Sequence, residues 1–242
     1  MRRVLLFVGL LVSFASIALA ADAPKGARPQ FRPALLGSGP TSLINRIDGV
    51  ALMKAGQKDG AVMFSAMASI DGALMEPHTY RAMPESKALE EEVSKQLANT
   101  KVVPAIYNYQ PAGVLFYGTV VFSIAEAKPR VRIYLHQDPE ELKKESDFIG
   151  PQPVLGGESK FRGLQMPQAE QPVAVSGIVD LLVKVDAQGK PSVITVVEEE
   201  PPLLGFGQAA LTDFEGVRFI PAFRDGDPTA CETVLPVFYP TE

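Results

Sequence analysis

The residues able to do chemistry are few and scattered. There are two histidines, His78 and His136, and one cysteine, Cys231, in 242 residues. Each histidine stands alone on a stretch with strand character, whereas a metal site draws on three or four ligands, so a surface or packing role is expected for both. A single cysteine cannot close an internal disulfide. Placed early in an apolar run, Cys231 reads as a small packed residue. No G-x-S-x-G sequence supplies a nucleophile elbow. Gly37-Ser38-Gly39 and Gly205-Phe206-Gly207 are too short to cradle a phosphate. The acidic runs Glu90-Glu91-Glu92 and Glu198-Glu199-Glu200 supply paired carboxylates, but no neighbouring pattern marks a cleft, and both are expected as solvated surface. Catalytic, cofactor-binding and metal-binding residues are therefore all read as none. An exported enzyme whose site is built from scattered acids is kept as an alternative.

Pattern, by contrast, is dense. Val179, Leu181, Val183 and Val185 alternate with Asp180, Lys184 and Asp186, the period of a half-buried strand. Ala187-Gln188-Gly189-Lys190 is a turn, with Gly where φ > 0 is needed. Val193 to Val197 is a second β-branched run. Phe206, Ala210 and Phe214 form one face of a helix, closed by Gly216 as its C-cap. Val217 to Ile220 leads to Pro221-Ala222, the Asp225-Gly226 loop and a last strand, Cys231 to Tyr239. The order is β-hairpin, helix, β-strand.

At these residues the chain resembles the TonB C-terminal domain family. The resemblance rests on Gly177-x-Val179, Val185-Asp186-x-x-Gly189, Ala209-Ala210-Leu211, Arg218-Phe219-x-Pro221-Ala222, Asp225-Gly226 and Val234-x-Pro236-Val237-x-Tyr239. It departs from the family at Val217, where a bulky aromatic is usual, and at Tyr239, where Phe is usual. The resemblance implies a periplasmic, protein-binding role without catalysis.

Shifted by 117 residues, the chain lies on itself without a gap from Gly60 to Phe122. Gly60 meets Gly177, Gly72 meets Gly189, Pro104-Ala105 meets Pro221-Ala222 and Val120 meets Val237. Leu89, Val93 and Leu97 meet Phe206, Ala210 and Phe214, so both helices keep one apolar stripe. Upstream, Phe31 to Gly37 echoes Phe148 to Gly156 with a small insertion. The expected fold is α+β: two tandem small domains, each an antiparallel sheet of hairpin, helix and strand with the helix on one face. The first spans 34–137 and the second 171–242. Met63 and Met67 alternate with the apolar face of the first strand and are expected as packing. Between the domains, 138–170 is expected as a short helix opening at Asp138-Pro139, followed by a surface loop.

The N-terminus reads as a secretory signal peptide over 1–20: Met1-Arg2-Arg3, an apolar run from Val4 to Leu19, and small residues at Ala18 and Ala20. The alternative is an uncleaved anchor facing the periplasm, which would make the protein an energy transducer or transport accessory. Residues 21–33 form a short Pro-containing linker. Fully extended it reaches roughly 45 Å, whereas energy transducers of this family carry a long Pro-rich spacer. Without Arg2 and Arg3, the 23 Lys and Arg fall to 21 against 28 Asp and Glu, a formal charge of −7. That argues against nucleic acid or an anionic membrane surface as partner.

The expected partner is an envelope protein or extended peptide, held by the edge of the closing strand through Thr233, Val234, Leu235, Val237, Phe238 and Tyr239. In the first copy, Arg130 to Gln137 is expected to fold back and cover the equivalent strand. The second copy ends at Glu242 without such a partner, and an uncovered edge is a template for strand addition.

Overall fold

The computed structural model describes residues 28–136, 141, 147–167 and 175–241. The expected signal peptide, most of the linker, and the helix start at Asp138 apart from Glu141 lie outside these residues. The described chain is a sheet-rich α+β protein with four short helices.

The first half runs β1 (Phe31–Arg32), α1 (Leu43–Arg46), α2 (Gly49–Lys54), β2 (Gly60–Ala68), β3 (Leu74–Ala82), α3 (Lys87–Leu97), β4 (Ala105–Tyr107), β5 (Gln110–Ala125) and β6 (Lys128–Leu135). The second runs β7 (Phe148–Ile149), β8 (Gln152–Leu155), β9 (Gly177–Val185), β10 (Pro191–Glu200), α4 (Phe206–Asp213), β11 (Phe219–Ile220), β12 (Ala222–Arg224), β13 (Asp227–Thr229) and β14 (Cys231–Tyr239). Alternation drives both central strands. Val62 and Phe64 on β2, and Val179, Leu181, Val183 and Val185 on β9, are buried, while their alternates are less so.

The ladder registers recur at the 117-residue offset. Gly60 pairs with Phe122 and Ala68 with Val114 in one half; Gly177 pairs with Tyr239 and Val185 with Cys231 in the other. The β4–β5 and β12–β13 hairpins match in the same way, Tyr107 with Gln110 and Arg224 with Asp227. So do Phe31 with Tyr107 and Phe148 with Arg224. The two hairpin turns share one close approach. Gly72 (φ +83) accepts a hydrogen bond from the Val102 N–H, and Gly189 (φ +76) accepts one from the Phe219 N–H. A Cβ would lie 2.1 Å from the Val102 carbonyl oxygen or 1.9 Å from that of Phe219, so glycine is needed twice over.

Both main helices are capped from outside their own sequence. Gln57, itself buried, accepts the Leu89 N–H of α3 on Oε1 at 2.9 Å. Glu199 accepts the N–H groups of Leu204 and Phe206 at the start of α4, at 3.1 and 3.2 Å. These bonds satisfy orphan donors of the first turn. They also correct one expectation: Glu199 is half-buried and structural rather than a solvated surface acid.

Two further expectations are corrected. Phe31 and Arg32, read as linker, form β1 against β4. Residues 148–161, read as surface loop, supply β7, β8 and the fully buried Phe161. Here β8 bonds both β11 and β5, so it ties the second half to the long strand of the first. Gln152 adds a second tie, accepting from Ala34 N at 2.7 Å and donating to Ala34 O at 3.1 Å. Strand β5 is the shared wall. Val114, Phe116, Val120 and Phe122 face one core with α3, and Leu115 and Tyr117 face the other with α4. The physical reason lies in sheet geometry: alternate residues emerge on opposite faces, so an element covered on both sides is apolar on both.

Candidate functional site

The residues expected at the partner edge all lie on β14. Thr233, Leu235, Val237 and Tyr239 point into the second core and are buried, whereas Val234 and Phe238 are half-buried on the opposite face. Their side chains therefore do not form one exposed surface. What β14 offers is main chain. From Val234 to Tyr239 the strand it is bonded to among the described residues is β9, and β9 pairs with β10 on its far side. The equivalent strand β5 carries β2 on one flank and β6 on the other, with Gly118 to Ala125 paired to Leu135 to Lys128. That hairpin was expected. Cys231, expected to be packed, is half-buried.

The outward face of β9 and β14 is not bare. Arg81 of β3 donates to both carboxylate oxygens of Asp180, at 3.1 and 3.2 Å, with Glu200 at 4.0 Å. The Tyr80 ring stacks on Phe238 at 5.5 Å, and His78 meets the same ring edge-on at 5.7 Å. The Tyr80 hydroxyl is buried without a hydrogen-bond partner, and burial pushes its phenol pKa up. These contacts clamp the edge strand of the first half against the sheet of the second.

Beside this clamp lies a cavity of about 630 Å³. Its walls come from β2 and β3 (Met67, Met75, His78), from the chain after β8 (Arg162, Leu164, Met166), and from the end of β14 (Phe238 to Thr241). The paired strands behind the first wall carry two irregularities, the second of them within the wall. The β2–β3 register shifts between Met63 and Phe64 and again between Ser65 and Met67, and bulges of this kind re-aim side chains. At the second, Glu76 takes φ +49, uncommon for a residue other than glycine. The 162–166 wall is pinned at both ends. Arg162 Nη1 donates to the Ser159 carbonyl at 2.6 Å, and Asp213 Oδ2 accepts the Gln165 N–H at 3.0 Å. The same Asp213 oxygen accepts the Tyr239 hydroxyl at 2.9 Å. Burial raises the Asp213 pKa, and the two hydrogen bonds oppose that shift.

The other histidine is a core residue. His136 is fully buried, 4.0 Å from the Tyr117 ring and 5.5 Å from that of Phe116. Burial alone lowers its pKa to about 3.

Sequence reasoning missed the cavity. Met67 was expected as packing, and Met75, His78 and Met166 were not connected to it. The alternation that put Met67 opposite the first core was visible, but the wall that completes the cavity comes from about 100 residues downstream. Among the described residues no group of three or more His, Cys, Asp or Glu clusters as a metal site, and no helix is long and apolar enough to cross a membrane. No protein-family profile, characterised protein or solved structure matches this chain.

Proposed function

We propose that this chain is an exported, periplasmic binding protein, made of two copies of a TonB C-terminal-like unit, that holds an envelope protein or extended peptide by strand addition to β14. The observation that carries the reading is the contrast between two equivalent strands. At the 117-residue offset β14 corresponds to β5; β6 covers β5 from Gly118 onward, and over the equivalent Leu235 to Tyr239 no strand lies on that flank of β14 among the described residues. Main-chain pairing at an edge supplies affinity, and pockets beside it supply selectivity. The burial of Leu235, Val237 and Tyr239 agrees with recognition through backbone groups.

The test is a crosslinking capture from the native envelope, run with the wild-type protein and with a variant whose edge is covered. Substituting Val237 would disturb the core, because its side chain is fully buried. Fusing the Glu126–His136 sequence after Glu242 instead supplies the strand that covers β5. The wild type is expected to capture a partner that the fused protein does not. Equal capture by a folded fusion rejects strand addition. N-terminal sequencing of the natural protein tests export separately: a chain beginning at Ala21 is expected, and an intact Met1 in the membrane fraction sinks this part of the proposal.

A further inference from the structure

The geometry points to the inter-half cavity as a binding site for a soft monovalent cation, Cu(I) by chemical class, held by the thioethers of Met67, Met75 and Met166 and the imidazole of His78. Register places three of the four donors together. Met67 and Met75 are direct cross-strand partners, and His78 is the partner of Ser65, the next residue on the same face of β2. Directly opposed residues project from one face with Cβ atoms about 4.5–5.5 Å apart, and the neighbouring positions lie about 7–8 Å away, within reach of long side chains. The bulge between Ser65 and Met67 is what brings Met75 and His78 to the same wall. The fourth donor, Met166, comes from the 162–166 segment of the lining, which is held in place by the Gln165 to Asp213 hydrogen bond.

The donor set fixes the class of ion. Thioether sulfur is a soft ligand that selects Cu(I), and imidazole accepts the same metal. Zinc is bound by thiolate, imidazole and carboxylate. Of these the cavity offers only His78 and Glu76, and the chain's single thiol, Cys231, lies at the other end of β14 from Phe238 and Tyr239. The three thioethers carry no charge. Leu115, Leu155, Leu164 and Phe238 line the cavity together with Arg162, whose Nη1 donates to the Ser159 and Phe161 carbonyls; the apolar part of this lining favours a singly charged ion over a doubly charged one because desolvation is less costly. The side chains are accessible for loading: His78, Met67 and Met166 are half-buried, and Met75 is 47 % exposed. Methionine is also a common gap-filler and apolar contact residue. Met67 and Met166 pack against the second core and His78 against the Phe238 ring, and with Met75 they line one open cavity.

The test uses the purified protein and is independent of its export or partner. Cu(I) is titrated anaerobically against a coloured chelator, and Ag(I), which does not change oxidation state, is titrated into protein labelled at the methionine methyl carbons. One equivalent of either ion is expected to bind. The methyl resonances of Met67, Met75 and Met166 should shift, while those of Met53, Met63 and Met83 stay in place. The double variant Met67→Leu, Met166→Leu conserves volume and is expected to stay folded while losing at least about tenfold in affinity, since two of four ligands are gone. An unchanged affinity in the folded double variant overturns the site. So does a shift confined to the exposed Met83, or uptake of an apolar dye by the cavity that Ag(I) does not displace.

Discussion

Acidification from pH 7 to pH 5 is expected to cost the fold about 2 kcal/mol through His136 alone. The side chain is fully buried between Phe116 and Tyr117. Its Nε2 accepts the Tyr117 N–H at 3.3 Å, so the neutral ring carries its proton on Nδ1, which is buried without a hydrogen-bond partner. A second proton would break the Nε2 bond and place a charge in an apolar site. Burial accordingly lowers the folded-state pKa from 6.5 to about 3. The unfolded chain binds this proton once pH falls below about 6.5, and the folded chain does not. Stability from this group is therefore complete above that value, falls by about 1.4 kcal/mol per pH unit below it, and stops falling near the folded pKa. Carboxylates titrate in the lower part of the window, so the assay must be differential. Urea denaturation at both pH values, for the wild type and His136→Gln, isolates the contribution of this side chain. The amide cannot titrate and still offers an acceptor to Tyr117. The variant should lose about 2 kcal/mol less than the wild type between pH 7 and pH 5, whatever its stability at neutral pH. Equal losses in the two proteins would refute the reasoning, as would an imidazole resonance showing His136 charged in the folded protein at pH 5.

The clamp between halves should behave as a coupled pair. Arg81→Ala strips a mostly buried Asp180 of a bidentate partner and is expected to cost about 1.5–3 kcal/mol, with a double-mutant cycle against Asp180→Ala showing coupling of at least about 0.5 kcal/mol. Additive effects would mean the pair does not hold the halves together. Gly72→Ala and Gly189→Ala should each cost about 1–2 kcal/mol for the left-handed backbone and a further ~1–3 kcal/mol for the carbonyl a Cβ would strike. Gly226→Ala, at φ +90 with nothing within 4 Å, should cost only the first part. Denaturant midpoints that rank all three substitutions alike would reject the shared close approach.

Much of the fold was legible in the residues. Strands β2 and β9 follow from period-two alternation, β10 from its β-branched run, and α3 and α4 from stripes four residues apart; the 117-residue echo carries the β9–β10 hairpin to β2–β3. Gly72 and Gly189 mark their turns, and the β5–β6 hairpin shows in Arg130 to Leu135. Each of these is a local pattern, set by side-chain direction within one element. The short elements were not legible. Strands β7, β8 and β11 are two to four residues long, too brief for a period. They exist because partners distant in sequence bond them: Gln152 with Ile220, and Leu155 with Gly113. Helices α1 and α2, four and six residues long, escaped notice for the same reason.

The sequence by itself determined the alternating faces, the glycines that must turn and the 117-residue echo between halves. Only the tertiary structure decided what those faces meet. Leu115 and Tyr117 turn to the second core, His136 is enclosed, and Arg81 finds Asp180 99 residues away. Met67, Met75, His78 and Met166 come to share one cavity. A residue's own neighbours in the chain dictate which way it points; which surface waits there depends on how two separately patterned halves pack. That packing energy is spread over many weak contacts, with no single motif to announce it.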